Sequence, residues 1–114
     1  MPSISVVICA YTDARWDELV ASVQSVQQQS LPPQEIIVVI DHNPALLERV
    51  RAKIPGVIAV ENEETRGLSG ARNNGIAAAR GEVIAFIDED STADADWLAR
   101  LSAGYTEPVI GVGG

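Results

Sequence analysis

The stretch Glu82-Val83-Ile84-Ala85-Phe86-Ile87-Asp88-Glu89-Asp90 reads as a strand that runs directly into three acids. Its apolar run is unbroken, which suits a strand covered on both faces. Alternate residues at a strand end point to opposite sides, so Asp88 and Asp90 can project one way and Glu89 the other. Three adjacent carboxylates repel one another unless something neutralises them. A hard divalent cation would do so, because it takes carboxylate oxygens and bridges to phosphate oxygens. The bland alternative is a solvated acidic loop leading into a helix near Ala93, whose N-terminus favours acids.

Elements of alternating type lie on either side of this strand. Before it, Ser69–Arg80 is a helix of small residues, with Gly81 placed as its C-terminal stop. Gly70, Ala71, Gly75 and Ala79 would let that helix approach a sheet closely. After it, Trp97, Leu98 and Leu101 mark one face of a last helix, and Pro108–Val112 begins a fifth strand.

Toward the N-terminus, Ser5–Cys9 and Glu35–Ile40 are further buried-strand runs, and Val57–Val60 is a shorter one. Trp16, Leu19, Val20, Val23 and Val26 recur at helical spacing. Thr12 or Asp13 could cap that helix, and Leu31-Pro32-Pro33 ends it. Asn43-Pro44 is a cap with proline at the first helical position. The next helix presents Leu46, Leu47, Val50 and Ile54, and Pro55-Gly56 terminates it. Strictly alternating strands and helices predict a Rossmann-like, three-layer α/β/α fold with a mostly parallel sheet and right-handed crossovers. Residues 1–114 form a single domain on this reading.

Composition excludes several functions. The 114 residues carry 8 Lys and Arg against 16 Asp and Glu, a net charge of −8. Such a chain is a poor partner for nucleic acid or an anionic membrane face. An anionic ligand would need a cation between it and the protein. The one cysteine, Cys9, excludes an intrachain disulfide and fits burial in a reducing compartment. No leader and no membrane-spanning run are visible.

In parallel sheets of this kind ligands bind beyond the carboxyl ends of the strands. Those ends carry Tyr11-Thr12-Asp13, Asp41-His42-Asn43, Asn62-Glu63-Glu64 and Asp88-Glu89-Asp90. Asp41 could accept hydrogen bonds from a ribose or base, or serve as a turn residue ahead of Pro44. Tyr11 could stack on a base, or sit half-buried at the core edge. Arg66 and Arg72 flank the start of a helix, a setting that suits phosphate, although Arg72 could simply pair with an acid. The loop lacks the Gly-Lys-Ser/Thr ending of a P-loop, and the first strand lacks the dinucleotide glycine fingerprint. His42 reads as a loop residue, and Ser69 and Ser91 as cap or loop residues.

In order and spacing, these segments resemble the nucleotide-binding half of a GT-A-fold, family 2 glycosyltransferase. The marks are Ser5-Val-Val-Ile-Cys-Ala-Tyr11, Glu35-Ile-Ile-Val-Val-Ile-Asp41, Gly67-Leu-Ser-Gly-Ala-Arg72-Asn73-Asn-Gly75, Arg80–Asp90, Trp97-Leu98 and Val112-Gly113-Gly114. The resemblance implies transfer of a sugar from a UDP- or GDP-linked donor to an acceptor hydroxyl, with inversion. It implies that Ala10, Tyr11, Asp41, Arg72 and Asp88 bind the nucleotide. Asp90 would ligate Mn2+ or Mg2+, with Asp88 and Glu89 as further candidate ligands.

Two departures stand out: His42-Asn43-Pro44 follows Asp41 where many relatives have Asp-Gly-Ser, and Thr12 stands where asparagine is usual. Relatives continue past the Gly-Gly with an acceptor half that supplies the catalytic base. The resemblance therefore implies a fragment incomplete at its C-terminus, inactive alone and prone to self-associate through apolar surface around Val109–Val112. The expected location is the cytoplasm, with the full-length protein at the cytoplasmic face of a membrane. A nucleotidyltransferase of related fold and a non-enzymatic binding module are the alternatives.

Overall fold

The computed structural model describes residues 3–62, 68–103 and 110–112, with side chains over 3–62 and 70–103. Glu63, Glu64, Arg66, Pro108, Val109, Gly113 and Gly114 lie outside the described residues, as do the side chains of Ser69 and Val112. Five strands form one sheet: β1 (Ile4–Ala10), β2 (Glu35–Ile40), β3 (Ile58–Glu61), β4 (Val83–Asp88) and β5 (Ile110–Val112). Their order is β3-β2-β1-β4-β5, and every described pairing is parallel. The helices are α1 (Trp16–Gln27), α2 (Pro44–Lys53), α3 (Leu68–Ala78) and α4 (Trp97–Ala103). No described helix is long and apolar enough to cross a membrane.

The sheet separates two apolar layers. Val6, Ile8, Val38, Ile40, Ala85 and Ile87 face one way, toward Leu19, Val23, Val26, Leu46, Val50 and Leu98 of α1, α2 and α4. Val7, Ile37, Val39 and Phe86 face the other, toward Ala71 of α3. Burial on both faces is why β1, β2 and β4 are continuous β-branched runs without alternation. β3 is an edge strand, and Ile58 on it is exposed.

Two glycines make room for close approach. A Cβ on Gly75 of α3 would fall 2.5 Å from Val7 Cγ1. Gly81 was expected as the stop of a helix over Ser69–Arg80; α3 instead spans Leu68–Ala78 and ends before it, and Gly56 is the one described glycine with positive φ. Gly81 is small because a Cβ there would lie 2.6 Å from Ser5 Oγ.

The caps follow the sequence in one case and depart from it in another. Asn43 Oδ1 accepts from the Leu46 amide at 3.1 Å, and Pro44 opens α2. Thr12 Oγ1 accepts from the Ala14 amide at 3.1 Å, but the segment it caps is a 3-10 turn, Asp13–Arg15, placed before α1. α1 ends at Gln27, ahead of Leu31-Pro32-Pro33. Beyond its end the chain turns back on a buried side chain: Gln29 Nε2 donates to the carbonyls of Ser25 and Asp94, and its Oε1 accepts from the Leu98 amide at 2.9 Å.

That anchor places the last described helix. Bonds from Ser25, Gln29 and Ser30 reach Ala93, Asp94, Ala95 and Leu98, and α4 packs on the same face of the sheet as α1.

Candidate functional site

The strand order reverses at β1, where β2 and β3 lie on one side and β4 and β5 on the other. A crevice is expected at the carboxyl ends there. A cleft of about 460 Å³ occupies that place, with Val7, Ala71 and Phe86 among its lining residues, along with the ends of β1 and β4. All the sequence-proposed positions line it: Ala10, Tyr11, Asp41, Arg72, Asp88, Glu89 and Asp90. Cys9 and Arg15 line it as well.

Each lining group is held by a different part of the fold. Ala10 is buried, and its carbonyl accepts from the Asp41 amide at 2.8 Å, which locks the ends of β1 and β2 together. Tyr11 leaves the sheet and is 55% exposed, open to a planar partner. Asn43, besides capping α2, donates to the Tyr11 carbonyl at 3.2 Å. Arg72 lies with its guanidinium carbon 5.3 Å from the Phe86 ring centroid. That stacking keeps a positive charge on the apolar lining of the cleft.

Asp41 is largely buried, with 13% of its side chain exposed. Its Oδ1 accepts from Asn62 Nδ2 at 2.8 Å, and His42 Nε2 stands 3.8 Å away. His42 adopts φ 52°, so it is a turn residue, as the sequence suggested. Asn62 in turn accepts from Asn74 of α3 at 2.7 Å. Asn62 was named from the sequence only as one of the strand-end residues and Asn74 only within the Gly67–Gly75 segment, and neither was given a role. The signal was weak: one amide at a strand end and another within a helix of small residues.

The three acids divide as the strand pleat requires. Asp88 and Asp90 are exposed, whereas Glu89 is only 5% exposed. Glu89 Oε1 is 3.7 Å from Arg15 Nη1, and its Oε2 has no hydrogen-bond partner. Burial pushes the Glu89 carboxyl above the ordinary glutamate value. Arg15 opposes that shift, and Asp90, Glu18 and Asp88 add to it. Glu89 thus lines the cleft from a buried position, with one carboxylate oxygen toward Arg15 of the 3-10 turn and the other without a hydrogen-bond partner.

Arg15 was also missed. The same Nη1 is 3.8 Å from Asp90 Oδ2, and the guanidinium carbon is 5.9 Å from the Tyr11 ring centroid. The expectation that the acids need a cation is thus met in part by the chain's own arginine. It was hidden because its placement depends on the 3-10 turn.

Cys9 is half-buried beside Arg72. Burial pushes its thiol from 9.0 to about 11, Arg72 pulls the other way, and Asp41, Glu89 and Asp88 add to the rise. It stays a neutral packing group.

Among the described residues no three His, Cys, Asp or Glu side chains converge on a point that could hold a metal ion. Two exposed carboxylates, Asp88 and Asp90, fit a different arrangement. Mg2+-type sites commonly use one or two carboxylates and complete their shell with water and substrate phosphates. The cleft thus carries an exposed aromatic ring at Tyr11, a hydrogen-bond acceptor at Asp41, a cation at Arg72 and two exposed carboxylates at Asp88 and Asp90.

Relatives are found on both sequence and structure. A glucosyl-dolichyl phosphate glucuronosyltransferase of Haloferax volcanii is 35% identical over 116 residues, covering 97% of this chain and 37% of that protein. The putative glycosyltransferase EpsH of Bacillus subtilis is 33% identical, covering 96% of this chain and 33% of that protein. The chain thus spans about a third of the length of these relatives.

The mannosyltransferase PcManGT of Pyrobaculum calidifontis, solved with GDP-Man and Mn2+, superposes with a TM-score of 0.74 at 23% identity, over 94% of this chain and 33% of that one. S. aureus TarS 1-349 with UDP-GlcNAc superposes with a TM-score of 0.70 at 21% identity, over 89% of this chain and 30% of that one. These likenesses show the fold, which is GT-A. The sequence pattern described as Glycosyl transferase family 2 matches residues 5–114. With all but the first four residues inside that match, this chain belongs to glycosyl transferase family 2.

Proposed function

We propose that the cleft is the donor site of a glycosyltransferase, which moves a hexosyl group from a UDP- or GDP-linked donor to an acceptor hydroxyl with inversion. The observation that carries this reading is the pair of exposed carboxylates, Asp88 and Asp90, beside a cleft at the strand-order reversal. Tyr11 lies against the base, Asp41 accepts from a base N–H, and Arg72 faces the anionic part of the nucleotide. Asp88 takes the ribose or diphosphate side, and Asp90 holds Mn2+ or Mg2+. When bound, that cation offsets the negative charge growing on the departing diphosphate.

Two similar structures support the choice of ligands: PcManGT was solved with GDP-Man and Mn2+, and TarS 1-349 with UDP-GlcNAc. The acceptor site and the catalytic base belong, on this proposal, to the part of the relatives' length that this chain does not match. The 114 residues alone would then bind donor and turn over little. Titration of UDP and GDP with and without Mn2+, against an Asp90→Ala control, tests the reading. Cation-dependent binding lost in the control is expected. Absence of cation-dependent binding of either nucleotide by the full-length protein overturns it.

A further inference from the structure

We infer that Asn62 and Asn74 are positioning residues that aim the Asp41 carboxylate at the base and thereby set the nucleobase preference of the cleft. The inference rests on the proposed role of Asp41 and adds two residues to it.

Three elements meet at this point. Asp41 follows β2, Asn62 follows β3, and Asn74 lies on α3. Asn62 is 1% exposed and attached to the end of β2 twice. Its backbone amide donates to the Ile40 carbonyl at 2.8 Å, and its side-chain Nδ2 donates to Asp41 Oδ1 at 2.8 Å. Its Oδ1 accepts from Asn74 Nδ2 at 2.7 Å, and the same Nδ2 donates to the Gly70 carbonyl at 2.9 Å.

The direction of this chain follows from chemistry. An ionised carboxylate only accepts, so Asn62 must turn its NH2 to Asp41 and its oxygen to Asn74. Bonds in series polarise one another, which strengthens the donor that faces Asp41. Asp41 is thereby held in one orientation before any ligand arrives, and such preorganisation saves the ordering cost on binding.

The same chain reaches the other lining group. Asn74 is two residues from Arg72 on α3, so the tie that orients Asp41 also fixes the helix that carries Arg72. The base contact and the cationic contact are held in one frame.

Two matched pairs of nucleotides read this out. Uracil N3 and guanine N1 carry a hydrogen that a carboxylate can accept. Cytosine N3 and adenine N1 carry none and present a lone pair. The preference for UDP over CDP, or for GDP over ADP, therefore reports the aim of Asp41. A structural loosening of the fold would weaken both members of a pair alike.

The experiment measures dissociation constants for the four diphosphates with Mn2+ present. It uses the full-length protein and its Asp41→Asn, Asn62→Asp and Asn74→Ala variants. Asn62→Asp is nearly isosteric and keeps an acceptor for Asn74 while removing the donor to Asp41. Asn74→Ala leaves Asn62 in place. The expected result is a preference in the wild type, abolished by Asp41→Asn and reduced about three- to tenfold by each asparagine variant, the size of one hydrogen bond. If Asp41→Asn abolishes the preference and both asparagine variants retain it, the inference is overturned and the role of Asp41 stands. If Asp41→Asn leaves the preference unchanged, the base-contact reading fails, and this inference fails with it.

Discussion

Arg15 Nη1 stands 3.8 Å from Asp90 Oδ2, so the acid proposed to hold a metal already faces a cation of the chain itself. Arg15 is about half exposed, and an ion pair at that exposure is worth little, on the order of 0.2–1 kcal/mol. Replacing it by a neutral side chain removes a competing positive charge from the acid loop. Arg15→Gln is expected to tighten Mn2+ binding in the absence of nucleotide about two- to fivefold. Calorimetric titration of Mn2+ alone checks it, and equal or weaker binding in the variant would show that Arg15 does not compete.

Glu89 gives a pH signature. Its carboxyl is raised above the ordinary glutamate value, chiefly by burial. A raised acid binds its proton more tightly in the folded chain than in the unfolded one. Its contribution to stability is therefore full below the ordinary value and is lost as pH rises through the raised one. Glu89→Gln is expected to be more stable than the wild type near neutrality, with the difference shrinking toward acid pH. Urea unfolding of both proteins from pH 4 to 7 measures this. A difference that does not vary with pH would rule out the burial argument.

Gly75 has no room for a side chain. An alanine Cβ would press on Val7, a fully buried β-branched residue that cannot turn aside. Overpacking costs roughly 1–3 kcal/mol, against a helix-propensity gain of about 1 kcal/mol. Gly75→Ala should therefore lower Tm by up to roughly 10 °C, as read by thermal unfolding.

Ser5 lies at the opposite end of the sheet from the cleft. It is fully buried, donates to Glu35 Oε2 at 2.7 Å and accepts from the Gly81 amide at 2.8 Å. Ser5→Ala leaves that amide without its partner, a loss of about 1–3 kcal/mol. Unfolding should register the whole change, and nucleotide titration should register none.

The readable part of this fold was the part decided by local burial. β1, β2 and β4 are covered on both faces, so their runs of valine and isoleucine announce them. The cap at Asn43-Pro44 is likewise a local bond. The lining of the cleft was readable where a strand end carries its own polar chemistry, at Tyr11, Asp41, Asp88 and Asp90.

What escaped depended on distant partners. Arg15 meets the acid loop only through the 3-10 turn, more than seventy residues away in the chain. Asn62 acquires meaning from Asp41 and Asn74, on two other elements. Gly81 looks like a helix stop by sequence, but its size answers to Ser5 across the sheet.

Gln29 has a consequence for local opening. Its one side chain bonds Ser25 before it and Asp94 and Leu98 far after it. The segment from Asp88 to α4 is thus fastened at its far end by a residue just past the end of α1, some sixty residues earlier in the chain. Fraying of α1 at Gln27 and release of the acid loop should then be a single opening event, with amides of both segments exchanging at a common rate.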